Sequence, residues 1–174
     1  MSTQQYSIAF IPNDTIIAYV KALKLQLGET IGWFSSKNAM AHITIGEMQV
    51  SHEALQHIHT IIEHISNDIR PFEIILEHLQ TFENSGTLYL SIDAVAKDKL
   101  EEIMQIFHQR FTLQGSDKNP HMTIGRKLTP EQLAKGMDIL HVSPKTFLLD
   151  SVSLRKFDPE VKQYEVIHTY SFTK

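Results

Sequence analysis

Apolar positions along this chain switch between two spacings, a period of two over short runs and a period near 3.6 over longer ones. That pattern predicts strands interleaved with amphipathic helices. Residues 6–11 read as a strand ended by Pro12-Asn13-Asp14, where Asn13 or Asp14 caps a helix striped by Ile16, Val20, Leu23 and Leu27 and stopped by Gly28. Residues 40–48 read as a second strand, and Ser51 opens a helix with Leu55, Ile58, Ile62 and Ile65 inward. Residues 72–82 and 87–93 read as a hairpin joined at Asn84-Ser85-Gly86, with room for a bulge in the first arm. A third helix carries Leu100, Ile103, Phe107 and Phe111, followed by a polar loop over 114–119 and a strand over 120–126. Thr129-Pro130-Glu131-Gln132 has the signature of a capping box with proline at the first helical position, for a helix to Leu140. Strands over 147–154 and 164–172 complete the chain, the last alternating Tyr164, Val166, His168, Tyr170 and Phe172 on one face. There are more strands than a simple βαβ wind uses.

The order helix, loop, strand, helix occurs twice. The first strand opens with His-Ile-Thr-Ile-Gly at 42–46 and the second with His-Met-Thr-Ile-Gly at 121–125, 79 residues later. In a chain of this composition a bare His-x-Thr is expected about once by chance, and His-x-Thr-Ile-Gly only about a few thousandths of a time. Two copies in matching surroundings read as an internal duplication. On a strand, residues two apart share a face, so His42 projects beside Thr44 and His121 beside Thr123, while Ile43, Ile45, Met122 and Ile124 face the other way. If the two halves pair about a pseudo-twofold axis, two imidazoles and two hydroxyls converge. One neutral imidazole can then take a proton from an attacking water or hydroxyl while a protonated one delivers a proton to the leaving alkoxide. The hydroxyls can donate to the non-bridging phosphoryl oxygens, so phosphodiester chemistry is available without a metal or cofactor. The competing reading is a pair of half-buried strands whose polar residues satisfy one another.

Composition narrows the setting. Hydrophobic residues are 42% and charged residues 21% of 174, with only 7 Gly and 6 Pro, as in a globular chain of one domain spanning 1–174. Cysteine is absent, which removes disulfides, thiolate nucleophiles and Cys-containing zinc sites. No apolar run approaches the roughly 18 residues of a membrane span, and the first residues lack a basic leader, so the expected location is cytoplasmic. Net charge is −4, from 16 Lys and Arg against 20 Asp and Glu, which offers no broad basic face for duplex nucleic acid. A nucleic-acid substrate would be held locally, at an end or as a nucleotide. Ten histidines are the unusual feature, since imidazole is the side chain that serves as acid or base near neutrality.

Two His-x-Thr motifs, each followed by an apolar residue and about eighty residues apart, resemble those of the 2H phosphoesterase superfamily, which includes RNA 2′,3′-cyclic phosphodiesterases and the enzymes named RNA 2′-5′ ligases. His42-Ile43-Thr44-Ile45 is similar to the first motif. Pro120-His121-Met122-Thr123-Ile124-Gly125-Arg126 is similar to the longer second one, with its preceding proline and its arginine five residues after the histidine. Phe82, Leu88-Tyr89, Leu154 and Tyr164 fall where members of that family often have apolar or aromatic residues. The resemblance implies a bilobal, pseudo-twofold α+β fold with two antiparallel sheets lining a central cleft and helices packed outside. It also implies metal-independent opening of 2′,3′-cyclic phosphates of RNA ends or small nucleotides, usually to a 2′-phosphomonoester. His42 and His121 would be catalytic, with Thr44, Thr123 and Arg126 on the phosphate. No cofactor, DNA or membrane partner is expected, and the chain is expected to be monomeric. Two departures bear on subfamily and substrate: Gly46-Glu47-Met48-Gln49 stands where bacterial ligase-like members commonly have Phe-Leu-Gly, and Phe82-Glu83 lacks the usual proline. Ligation in the reverse direction, or RNA-end binding without turnover, would use the same cleft.

Other residues have plainer readings. Trp33 and Phe34 precede the first motif and are candidates to stack on a base, although anchoring in the core is the commoner role of such residues. Tyr89 shares a strand face with Thr87 and Ser91 and is a candidate to border the cleft. His52, His57, His59 and His64 do not have the spacing of a His-Glu-x-x-His metal site and read as a solvated helix face. Lys97, Lys99, Arg155 and Lys156 read as solvent-facing charges.

Overall fold

Among the described residues, four helices begin where a short polar side chain can accept a backbone N–H. Asn13 accepts from Ile16 N and starts α1 (Asp14–Ile31), and Ser51 accepts from Ala54 N and starts α2 (His52–Asn67). Asp93 accepts from Ala96 N and starts α3 (Ala94–Arg110). Thr129 and Gln132 form the full reciprocal capping box at α4 (Pro130–Ile139). The computed structural model describes residues 3–115 and 119–174. Part of the expected polar loop, residues 116–118, therefore lies outside the described residues.

Among the described residues there are eight strands: β1 (Thr3–Phe10), β2 (Ile43–Ser51), β3 (Phe72–Phe82), β4 (Thr87–Ile92), β5 (Met122–Gly125), β6 (Lys145–Leu149), β7 (Ser151–Asp158) and β8 (Gln163–Ser171). They form two antiparallel sheets of four strands, ordered β2-β1-β7-β8 and β5-β4-β3-β6. The strands that follow the two histidines, β2 and β5, thus occupy equivalent edge positions, as the duplication requires. Helix α2 packs on β2 and β8 of the first sheet, while α1 and α4 pack on β5, β4 and β3 of the second. The core includes Ile8, Phe10, Leu27, Ile43, Ile45, Leu88, Leu90 and Phe107, all fully buried, with Met122 and Ile124 among them.

Three local expectations need correction. Residues 147–154 are not one strand: β6 pairs with β3 in one sheet, and β7 pairs with β1 in the other, with Asp150 between them. The buried apolar positions change phase there, from Phe147 and Leu149 to Val152 and Leu154, because the chain passes from one sheet to the other. Gly28 does not stop α1, which ends at Gly32 in left-handed backbone (φ 79°). Gly28 instead lies under the Lys37 side chain, where a Cβ would come 2.8 Å from Cε. Finally, His59 is not on a solvated face: it hydrogen-bonds the Tyr170 hydroxyl and meets the His168 ring edge-on at 5.4 Å.

The bulge expected in β3 is present, between Leu76 and Leu79. Two further bulges matter more. Along β1, Ile8 faces Gly46 and Ala9 faces Thr44, leaving Ile45 as an extra residue; along β4, Leu88 faces Gly125 and Tyr89 faces Thr123, leaving Ile124 extra. The duplicated Thr-Ile-Gly therefore carries the same bulge twice. Each bulge reverses which residues point to the inner face beyond it.

Candidate active site

His42 and His121 each sit one residue before their strand, and each ring is held in the same way. His42 Nδ1 lies 2.7 Å from Met40 O, and His121 Nδ1 lies 2.7 Å from Asn119 O, the carbonyl two residues earlier in both copies. A carbonyl oxygen only accepts, so Nδ1 carries the hydrogen in both rings and Nε2 is the nitrogen through which a proton would pass. With Thr44 and Thr123, both histidines line one cleft of about 580 Å³ between the sheets. The loop leading into His42 is also tied to the second motif: Ser36 Oγ donates to Ile124 O at 3.2 Å and Ser35 Oγ to Arg126 O at 3.1 Å. Two distant parts of the sequence are thereby locked around one space.

Charge in the cleft is opposite to that of the whole chain. Among the described residues lining it, Lys24, Arg126, Lys127, Arg155 and Lys162 face a single acid, Glu47. Lys127 and Lys162, the non-glycine residues in left-handed backbone among those described, both line it (φ 55°). Such a cavity attracts anions. Burial, then the guanidinium of Arg155, hold His42 well below the usual imidazole range; Lys24 and Arg126 add to this and the Met40 hydrogen bond opposes it.

Lys24 was not singled out from sequence, and Arg155 was read there as a solvent-facing charge. Lys24 is 3% exposed, and its Nζ donates to Ser36 O at 3.0 Å and Ala39 O at 2.7 Å. Burial, with Arg126 nearby, lowers it from 10.5 to about 8. Its signal was the position four residues after Val20 and three before Leu27, inside the buried stripe of α1. Arg155 is not a solvent-facing charge: it is 4% exposed, donates to Ser7 Oγ at 2.8 Å and lies over the Tyr164 ring at 5.0 Å. Its Nε is buried with no hydrogen-bond partner among the described residues, and burial lowers its pKa to about 10.

The structure places Trp33 and Tyr89 away from the cleft lining. Trp33 is 73% exposed, so it anchors no core, whereas its neighbour Phe34 is buried. Tyr89 is 7% exposed, stacks on Phe82 at 4.1 Å and donates to Gln80 Oε1. Both rings meet the His121 imidazole edge-on, Phe82 at 5.1 Å and Tyr89 at 5.2 Å, and so support it from the side. Arg126 lines the cleft. Among the described residues, no group of three or more His, Asp or Glu is placed to ligate a metal.

Known proteins with this arrangement are recognisable. Residues 12–160 match the family model described as the 2′-5′ RNA ligase superfamily. No curated protein matches the sequence. Among solved structures, TT0787 of Thermus thermophilus is 17% identical with a TM-score of 0.69, covering 97% of this chain and 98% of that one. LigT of E. coli complexed with NADP+ is 13% identical with a TM-score of 0.66, over 99% and 100% of the two chains, and has also been solved with 3′-AMP. Usb1 of Kluyveromyces marxianus is 12% identical with a TM-score of 0.56, over 98% and 99%. At these identities the structures speak to the fold, and the family model, matched over most of the sequence, speaks to kinship: the chain belongs to the 2′-5′ RNA ligase superfamily of 2H phosphoesterases.

Proposed function

We propose that this protein is a metal-independent phosphodiesterase that opens 2′,3′-cyclic phosphates at RNA ends or on small nucleotides. The observation that carries the reading is the repeated His-Thr couple on two sheets around one cationic cleft, each imidazole fixed through Nδ1 on the carbonyl two residues earlier. His42, held neutral by burial and by Arg155, suits the proton acceptor. It takes a proton from water as the water oxygen bonds to phosphorus. The bond from phosphorus to one ribose oxygen breaks, and that oxygen takes a proton from His121. The cycle closes when His121 regains a proton from solvent and His42 releases one. Thr44 and Thr123 donate to the non-bridging oxygens, and Arg126 and Arg155 balance the charge that builds there.

Binding without turnover is the weaker reading, because an imidazole kept neutral adds no charge to an anion site. Incubation of the purified protein, with chelator present, against 2′,3′-cyclic nucleotides and oligonucleotides ending in cyclic phosphate tests the proposal. Opening to a phosphomonoester is expected, and resolving the isomers identifies which ester bond breaks. Absence of turnover across the panel, or turnover abolished by the chelator, contradicts it.

A further inference from the structure

The two motifs differ at Ile43 and Met122, both buried and apolar, and at one pair of positions that changes the chemistry of the cleft. Five residues after His121 stands Arg126, and five after His42 stands Glu47; both line the cleft. The bulge at Ile45 turns Glu47, rather than Gly46, to the face that carries Thr44. The nearly symmetric cage thus carries Arg126 on one motif and Glu47, with Arg155 in the same row, on the other, so its two sides present different groups to a ligand. With the scissile phosphate between the two His-Thr couples, its anionic neighbours belong toward Arg126, and hydrogen-bond donors belong toward Glu47.

The surroundings of Glu47 are those of a base site. Across the sheet, Ser7 faces both Glu47 and Arg155, which puts the three in one row. Gln5 Nε2 donates to Glu47 Oε2 at 3.0 Å and to the Tyr164 hydroxyl at 2.8 Å, an amide N–H already on this carboxylate of the kind that a base edge presents. Tyr164 and Phe157 form an aromatic pair 5.2 Å apart, and both line the cleft, giving a surface for stacking. The backbone of Glu47 is pinned on its outer side by a pair of 2.8 Å hydrogen bonds with Gln114. Along β1, Thr44 and Glu47 face Ala9 and Ser7, two steps or about 7 Å apart, within reach of a base carried on the same ribose as the phosphate.

We infer that Glu47 is a specificity-determining residue that selects guanine, resting on the phosphodiesterase reading above. A carboxylate only accepts hydrogen bonds. Guanine offers N1–H and the exocyclic amino group side by side, matching both carboxylate oxygens, whereas adenine and cytosine offer one amino group and uracil one imino N–H.

Calorimetric titration of the wild-type protein with 3′-GMP, 3′-AMP, 3′-CMP and 3′-UMP tests this without requiring turnover. Binding of 3′-GMP should be tighter by roughly tenfold or more, the discrimination typical of one bidentate base contact. Glu47→Gln should lose that preference while binding inorganic phosphate no more weakly. Equal affinities in the wild type overturn the inference even if the variant fails to fold, and so does a preference that survives Glu47→Gln. Turnover of the four 2′,3′-cyclic nucleotides, run in parallel, separates the two readings. Guanine preference without hydrolysis removes the phosphodiesterase and keeps the base site; hydrolysis with equal affinities does the reverse.

Discussion

The buried lysine of α1 allows a quantitative test. Lys24→Met keeps the aliphatic stem in its apolar surroundings and removes the ammonium that donates to Ser36 O and Ala39 O. In the unfolded chain this lysine holds its proton up to about pH 10.5; in the folded protein it releases it near 8. Between those values the unfolded state binds more protons, so the folding stability contributed by Lys24 rises with pH through the window. The gap between 10.5 and about 8, at about 1.4 kcal/mol per pH unit, is worth about 3 kcal/mol. Urea unfolding of wild type and variant from pH 7 to pH 10.5 should give a stability difference that is flat below pH 8 and then grows in favour of the wild type by that amount. A difference unchanged across the range would refute the burial argument. The same variant should lower kcat as well, because its two hydrogen bonds hold the 36–39 loop that leads through Met40 to His42.

Three further outcomes follow from the geometry. Because His42 is held well below 6.5, the acid limb of kcat/KM should fall below pH 6.5. Arg155→Gln should move it part of the way up, since burial is the larger cause; a wild-type limb at or above 6.5, or one unmoved in the variant, contradicts this. Gly46→Ala should cost about 1–3 kcal/mol in urea unfolding, because the new Cβ would lie 2.6 Å from Leu113 Cβ. Gly125→Ala should cost less, as its nearest contact is the mobile end of Leu128 at 2.8 Å, and equal costs would contradict that ordering. Arg126→Ala should raise KM for phosphate-bearing substrates by about three- to tenfold, and unchanged kcat and KM would make it a surface charge.

What the sequence disclosed, and what it did not, divides along physical lines. Helix starts were legible because capping is local: Asn13, Ser51 and Thr129 act within three residues of themselves. The duplicated His-x-Thr-Ile-Gly was legible because a rare string occurs twice. Arg155 was missed because it alternates with Val152 and Leu154 and so lies on the face opposite the apolar one. That face reads as solvent until a second sheet is known to stand across from it. Lys24 was passed over because a lysine in an apolar stripe is ordinarily taken to reach water, whereas here two loop carbonyls wait for it. Glu47 was hidden by the bulge at Ile45, since strict alternation from Thr44 points Gly46, not Glu47, into the cleft. Asp150 shows the same limit: residues 147–154 read as one strand, and only the topology explains the phase change from Leu149 to Val152 as a passage between sheets.

The central claim is that His42 and His121 act together on one phosphorus. It is tested most directly by steady-state hydrolysis of a 2′,3′-cyclic nucleotide by wild type, His42→Ala and His121→Ala, each confirmed as folded by circular dichroism. Each substitution should lower kcat by roughly 10² to 10⁴, the contribution of one general acid or base. Wild-type turnover in either folded variant would contradict the account.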